Sequence, residues 1–409
     1  MGPGHAMTRR TGLLLLENSG GRLHLVPLDA LRSVLLLDPG PAHHRQRTAE
    51  CTALPSGQAM WVDLDEISPH VVPDRAVADV LTAFGVTGLQ PADSPMLPED
   101  RRATPFFGNL VDPDWLSVSL GGKCDSRCVF CFTEWIRHQP SLTFDQAIRA
   151  LDEAASIAGL ETVVFTGGEP TIRKDLPELV RHASGNGFKV VGLQTNGHRL
   201  AEPAYLDEIL DAGVATVLLS LHGVRSETHD GIARRKGSFA LALEALRAMS
   251  DRGKCLVSVN FVVCRENAHE AESLPDLVHG VAPAAEIRYS FPIVEGAAYD
   301  NVETTLPPLP LFADLVARAR SRTTGTISVA NVPPCVSSKL GLANTYALRQ
   351  RRSMLAVSPF AALSTPRGEM SAKLEACHGC RFSDDCTGLQ LAYLRRFPEA
   401  HRHIDTPSP

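Results

Sequence analysis

Between residues 116 and 293 the chain alternates between two hydrophobic rhythms. Compact runs rich in Val, Leu, Ile and Phe are separated by longer segments in which apolar residues recur every three or four positions. The runs Leu116–Leu120, Thr162–Thr166, Phe188–Thr195, Thr216–Leu221, Cys255–Val263 and Glu286–Ile293 read as six strands. Helical patterns fill the gaps. Thr143 and Gln146 form a capping box ahead of a helix in which Ile148, Leu151, Ala155 and Ala158 share a face. Further helices are predicted near Leu176–His182, from Ala204 to Asp211, and across "GSFALALEALRAMSDRG", which stops at Gly253. Regular strand–helix alternation predicts a parallel sheet of βα units, and the continuous apolar strands predict burial on both faces.

The flanks read differently. "LLLLENSGGRLHLVPL" has the pattern of a hairpin about Gly20–Gly21, and "PDRAVADVLTAFGV" that of a short helix ending at Gly85. "LQPADSPMLPEDRRATP" reads as a linker into the central region. Three segments follow: 1–112 as an N-terminal extension, 113–305 as the βα region and 306–409 as a C-terminal region.

Composition changes this picture little. With 409 residues, 44% of them hydrophobic, the chain can bury a large core. A net charge of −6 gives no electrostatic footprint for nucleic acid, and the short arginine runs read as solvated faces. Leu13–Leu16 is too short an apolar run to span a membrane. The expectation is a cytoplasmic protein without nucleic-acid or membrane partners, in which clustered cysteines read as metal ligands or catalysts rather than disulfides.

The chemistry-bearing residues gather at strand ends. "GGKCDSRCVFC" follows the first strand, "GGEP" the second, "TNG" the third and "SLHG" the fourth. In barrels and in doubly wound sheets alike the loops at strand C-termini carry the site, and four marked loops in succession favour one mouth of a barrel. Cys124, Cys128 and Cys131 are spaced C-x3-C-x2-C, with the aromatic Phe130 before the last. Three thiolates in one loop can hold three corners of a [4Fe–4S] cube and leave one iron open. Zinc, or three core cysteines, are the competing readings. Gly167 and Gly168 allow close backbone approach, and Glu169 can receive an ammonium group. Asn196 and Ser220 end successive strands as polar hydrogen-bonding candidates. His222 and His229 read as structural.

Taken in order on matching strand ends, "CDSRCVFC", "GGEP", "TNG" and "SLHG" resemble the radical S-adenosylmethionine (SAM) superfamily, over about residues 113–305. The resemblance implies an α/β fold, a partial (β/α)6 TIM-like barrel with an N-terminal α+β extension and a C-terminal cluster-binding region. It implies that Cys124, Cys128 and Cys131 hold the cluster and that the open iron binds the amino and carboxylate groups of SAM. Reductive cleavage then yields a 5′-deoxyadenosyl radical that abstracts hydrogen from the substrate, with an electron donor such as a flavodoxin or ferredoxin. Phe130, Gly167, Gly168, Glu169, Asn196 and Ser220 become candidate SAM-site residues. "THDGIARRKGSF" is similar to a family segment in which an arginine reaches the SAM carboxylate; Arg235 fits best, with Arg234 as the rival.

A second thiol set lies C-terminal. Cys377, Cys380 and Cys386 are spaced C-x2-C-x5-C, and Cys335 supplies a fourth. Four thiolates suffice for a closed zinc or iron–sulfur site. The run into "CTGLQLAYL" resembles the SPASM or Twitch extension of radical SAM enzymes, which binds auxiliary [4Fe–4S] clusters. Where the full SPASM pattern has a further cysteine, position 390 is Gln, and no cysteine follows Cys386. The expectation is one auxiliary cluster held by Cys335, Cys377, Cys380 and Cys386. Cys255 and Cys264 read as core, and Tyr289, Ser290 and Glu295 as candidates for the substrate side of the mouth.

Three functional readings stand: an oxidoreductase or maturase acting on a ribosomally made peptide; an enzyme that oxidises or dehydrogenates a small molecule; and, as the non-enzymatic alternative, a metal-stabilised binding module.

Overall fold

The computed structural model describes residues 115–344 except 135, 136, 139, 140 and 158, and residues 371–399 except 378, 384, 385 and 387. It also gives the backbone of five strands outside those stretches. The helix expected across 73–86, the linker after it, Cys51 and the Leu13–Leu16 arm of the expected hairpin lie outside the described residues.

The chain divides into two compact units, 1–105 with 360–365, and 106–359 with 366–409. In the first unit β1 (Arg22–Leu25) pairs antiparallel with β4 (Met60–Asp63), and β2 (Val34–Asp38) with β3 (Arg45–Ala49). The strand after Gly20–Gly21 is therefore present, and its described partner lies far along the chain.

The second unit is a partial barrel. Its strands are β5 (Trp115–Ser119), β6 (Thr162–Thr166), β7 (Val190–Thr195), β8 (Val214–Ser220), β9 (Leu256–Val262) and β10 (Glu286–Ser290). These are the six that the apolar runs predict, with ends shifted by a few residues. Three more extend the sheet: β11 (Ile327–Ala330), β12 (Ala343–Asn344) and β13 (Met354–Val357). The order is β12-β11-β10-β9-β8-β7-β6-β5-β13, and every pairing is parallel. The late strands escape the periodicity reading because they are only two to four residues long.

The helices form for the reasons the sequence gives. In α1 (Phe144–Ala155) Thr143 Oγ1 accepts from Gln146 N at 3.2 Å, and Gln146 Oε1 accepts from Thr143 N at 2.9 Å. Both orphan donors of the first turn are thereby satisfied. Its buried face is Ala147, Ala150, Leu151 and Ala154; truncating the fully buried Leu151 to Ala would cost about 2–5 kcal/mol. α2 (Leu176–Gly185) and α3 (Pro203–Asp211) start at or beside proline, and α5 (Ser238–Arg252) ends at Gly253 with φ of 60°. The short α4 (Ser226–Ala233) precedes α5 and ends on Arg234 in the left-handed region.

The sheet corrects one expectation. It is not buried equally on both faces. Leu116, Val118, Val163, Phe165, Leu219, Val259 and Phe261 are all fully buried. Ser117, Ser119, Val164, Thr166, Leu218, Ser220 and Ser258, on the opposite side of the pleat, are only half-buried. The curled sheet packs its apolar face outward against helices, and its concave face mixes the hydroxyls of Ser117, Ser119, Thr166, Ser220 and Ser258 with Val164 and Leu218. The alternation also places Tyr289 with the outward set. It is fully buried, and its hydroxyl donates to Ala271 O at 2.7 Å, so it does not line the substrate side. Ser290 lies on the concave face, where its hydroxyl donates to Asn260 Oδ1 at 2.6 Å.

Candidate active site

The cysteine loop begins where the first strand ends, and it is locked to the second strand's loop backbone to backbone. Leu120 N donates to Thr166 O at 2.9 Å, Gly168 N to Gly121 O at 2.7 Å and Glu169 N to Lys123 O at 2.8 Å. A Cβ on Gly168 would fall on the carbonyls of Gly122 and Lys123, and Gly167 has φ of 135°. These two glycines permit close approach as expected, but the backbone they approach is that of the cysteine loop.

Two other elements hold the same loop. Arg127 N and Val129 N donate to Ala233 O and Ile232 O at 2.9 and 3.0 Å, at the end of α4. From the far side Ala297 N donates to Cys131 O at 2.9 Å, and Asn301 Nδ2 to Val129 O at 3.2 Å. Arg137 fastens the loop internally, with NH1 on Cys124 O at 2.9 Å and NH2 on Ser126 O at 2.7 Å.

Cys124, Cys128 and Cys131 thus sit on a loop tied down on three sides, each half-buried. Burial pushes the Cys124 thiol up to about 12, and burial raises Cys128 further, with Cys131 and Cys124 adding to the rise. The three sulfurs therefore lie within electrostatic reach of one another. Such thiols are protonated at neutral pH unless a metal takes the proton's place. Three cysteines on one short, fixed loop, with the buried and unpartnered donors Ser126 Oγ and Arg137 Nε on the same loop, fit an iron–sulfur cluster by the chemistry of the donor set.

Asp125, between the first two cysteines, was not singled out in the sequence, yet it organises the site. Its Oδ1 accepts from Asn196 Nδ2 at 2.7 Å. Its Oδ2 accepts from Arg235 NH1 at 2.6 Å and from His198 Nδ1 at 3.0 Å. Hydrogen bonds from His198 and Asn196, with the Arg235 charge, hold its carboxyl down at about 2 despite burial. Arg235, not the exposed Arg234, reaches the site. Asn196 Oδ1 also accepts from His198 N at 3.1 Å within the "TNG" turn, and the bonds from Asn196 and His198 to Asp125 tie that turn to the cysteine loop.

Glu169 is 3% exposed. Its Oε1 accepts from Thr171 N, Thr171 Oγ1 and Thr195 Oγ1 at 3.0, 2.6 and 2.7 Å, and its Oε2 from Asn196 N at 2.7 Å. Burial raises its pKa, and those four bonds work against the rise. Oε2 takes one protein donor where Oε1 takes three, so the capacity left on this carboxylate is at Oε2. Ser220, at the end of β8, has no side-chain partner among the described residues. Phe130 stands edge-on to His222, ring centroids 4.8 Å apart, and His222 stacks on His229 at 5.9 Å. Val262 N donates to His222 Nδ1 and His222 N to His229 Nδ1, and burial pushes both imidazoles down, His229 to about 4. Both imidazoles are buried, and His222 meets the cysteine loop through Phe130.

The second thiol set also converges. Cys335, Cys377, Cys380 and Cys386 line one pocket of about 370 Å³, solvent at its mouth included. Burial pushes Cys335 up to about 11, and Cys386, Cys380 and Cys377 each contribute to that rise. Four thiolates are the number that an all-cysteine zinc or iron–sulfur site needs. Gln390 lies beyond that pocket. Its Oε1 accepts from Val294 N at 2.8 Å and its Nε2 donates to Pro292 O at 3.1 Å. Gln390 thus clamps the loop that also holds Cys131.

A half-barrel of parallel strands, with three cysteines after the first and GGEP after the second, defines the class: the chain belongs to the radical SAM superfamily. Residues 118–278 match the model of that superfamily. Among individual relatives, the chain is 30% identical over 310 residues to a PqqA peptide cyclase of Bradyrhizobium diazoefficiens, covering 73% of this chain and 74% of the relative. It is 32% identical over 195 residues to an Fe-coproporphyrin III synthase of Methanosarcina barkeri, covering 46% of this chain and 48% of the other, so the chain spans about half of that relative. The structure of SuiB from Streptococcus suis bound to S-adenosylmethionine shares the fold, with a TM-score of 0.51 at 14% identity over 70% of this chain and 74% of that one. Among the described residues no helix is long and apolar enough to cross a membrane.

Proposed function

We propose that this radical SAM enzyme is a maturase that modifies a ribosomally made peptide. The observation that carries the reading is the similarity to a PqqA peptide cyclase, which covers 73% of this chain and so extends well beyond the 118–278 superfamily region. The matched Fe-coproporphyrin III synthase covers 46% of this chain, and that shorter span gives weaker support to a small-molecule substrate.

In this reading Cys124, Cys128 and Cys131 hold a [4Fe–4S] cluster, and Cys335, Cys377, Cys380 and Cys386 hold an auxiliary one. With SAM bound, the first cluster supplies a 5′-deoxyadenosyl radical able to abstract a hydrogen atom from the substrate. The chain's own residues position that chemistry. Glu169 Oε2 offers remaining acceptor capacity to the SAM ammonium, and the Ser220 hydroxyl offers a donor to its polar groups. Arg235, held against Asp125, brings positive charge to the same mouth for the SAM carboxylate. Gly167 and Gly168 bring the Glu169 turn against the cysteine loop. The concave face, with its hydroxyls, accepts the substrate, while the apolar outer face keeps the barrel rigid.

The test is a mass assay. Reconstituted enzyme, SAM, reductant and peptides encoded by neighbouring reading frames should yield 5′-deoxyadenosine together with a peptide that has lost two mass units or gained a crosslink. Turnover confined to a pool of small metabolites would overturn the reading in favour of a tailoring enzyme.

A further inference from the structure

Among the described residues, two buried donors in the cysteine loop have no acceptor. Ser126 is 2% exposed, and its hydroxyl has no hydrogen-bond partner; Nε of Arg137 is likewise buried and unpartnered. Buried polar atoms are nearly always satisfied, so two orphans in one short loop call for an acceptor that arrives from outside the polypeptide. Arg137 cannot swing away to find one, because its two terminal nitrogens are fixed on Cys124 O and Ser126 O. The backbone N–H of Ser126 is itself turned onto Cys124 Sγ at 3.4 Å. The third cysteine has a neighbour of the same kind, with Thr133 Oγ1 lying 3.4 Å from Cys131 Sγ. The loop thus already turns a backbone donor, Ser126 N–H, onto a cysteine sulfur and sets a hydroxyl beside another.

Resting on the reading that Cys124, Cys128 and Cys131 hold an iron–sulfur cluster, we propose that Ser126 Oγ–H and Arg137 Nε–H donate to the cluster's sulfur atoms and set its reduction potential. Donors and positive charge beside the sulfurs favour the reduced, more negative cluster, so both groups raise the potential. Ser126 and Arg137 are positioning residues of the electron-accepting step, and neither needs to touch substrate.

The test uses the full chain, with and without reconstitution. In metal-free protein Ser126→Ala removes an unsatisfied buried hydroxyl, and its melting temperature should stay level or rise. In reconstituted protein the same variant should keep its iron but shift the midpoint of the first cluster to lower potential, read by redox titration with electron paramagnetic resonance. That cluster is the one whose signal changes when SAM is added. Arg137→Lys, which keeps the charge but loses Nε, should shift it in the same direction. A Ser126→Ala variant with full iron and an unchanged midpoint overturns the proposal while leaving the cluster reading intact. If Cys124→Ala, Cys128→Ala and Cys131→Ala together remove no iron, the cluster reading itself has failed. If Arg137→Lys loses the loop altogether, Ser126→Ala still decides, because it removes one atom that bonds nothing among the described residues.

Discussion

Arg235 lies 2.6 Å from Asp125 across 110 residues of sequence, and this pair joins the loop after the fourth strand to the cysteine loop after the first. Asp125 gathers Asn196 and His198 to the same carboxylate. Replacing Asp125 with Ala should free Arg235 and unpin both loops, at about 1.5–3 kcal/mol for each charge-assisted bond lost. The expected result is iron content near wild type but SAM affinity at least about tenfold weaker, since about 1.4 kcal/mol is already a factor of ten. Wild-type SAM affinity in this variant would show that Asp125 has no part in the cofactor site.

Gly168→Ala places a methyl group on backbone carbonyls that have no room to retreat, because Gly168 N and Glu169 N are bonded to that same segment. The substitution should separate the two loops and cost the protein its first cluster. Iron per chain is the measurement, and full retention would mean the loops can slide apart harmlessly.

Metal content separates the two thiol sets. Anaerobically reconstituted protein should carry about eight irons per chain if both hold [4Fe–4S] clusters. Cys377→Ala with Cys380→Ala should remove about half, leave 5′-deoxyadenosine formation intact and abolish most product. About four irons with one zinc in the wild type would assign the second site to zinc.

Gln390 holds the backbone on both sides of Ile293, and that loop continues into Ala297, whose N–H caps Cys131. Gln390→Ala leaves Val294 N and Pro292 O unpaired, at about 1–3 kcal/mol for a buried group. Its melting temperature should fall by several degrees. Gln390→Glu should restore the bond from Val294 N and leave Pro292 O without its donor, so it should fall between the two. Identical melting of Gln390→Ala and wild type would remove Gln390 as a strut.

The buried His229 gives the fold an acid limit. Burial lowers its folded pKa to about 4 from 6.5, so the folded state binds fewer protons than the unfolded one. Its contribution is complete above about pH 6.5 and is lost as pH falls toward about 4, at ~1.4 kcal/mol per unit and roughly 3 kcal/mol in all. Urea midpoints measured at about pH 7 and about pH 5 should differ accordingly, and His229→Gln should shrink the difference. A midpoint that rises on acidification would contradict the assignment of a neutral buried imidazole.

Local chemistry was legible in the chain itself. The two periodicities mark six strands and their helices, Thr143 with Gln146 marks a helix start, and C-x3-C-x2-C with GGEP marks the cofactor site, because each depends on residues a few positions apart. Tertiary structure decided what depends on the path of the chain. Alternation shows that Tyr289 and Ser290 face opposite ways, but only the curl of the sheet assigns Tyr289 to the helices and Ser290 to the concave side. Asp125 reaches partners 71, 73 and 110 residues away, and no local pattern links them. Gln390 read in sequence as a missing ligand, whereas in space it bonds the loop that caps Cys131. Cys335 meets Cys377, Cys380 and Cys386 around one pocket although some forty residues separate it from them in sequence. Charge-assisted and backbone hydrogen bonds act over about 3 Å, so the residues that make them are chosen by proximity in space and not by spacing in sequence.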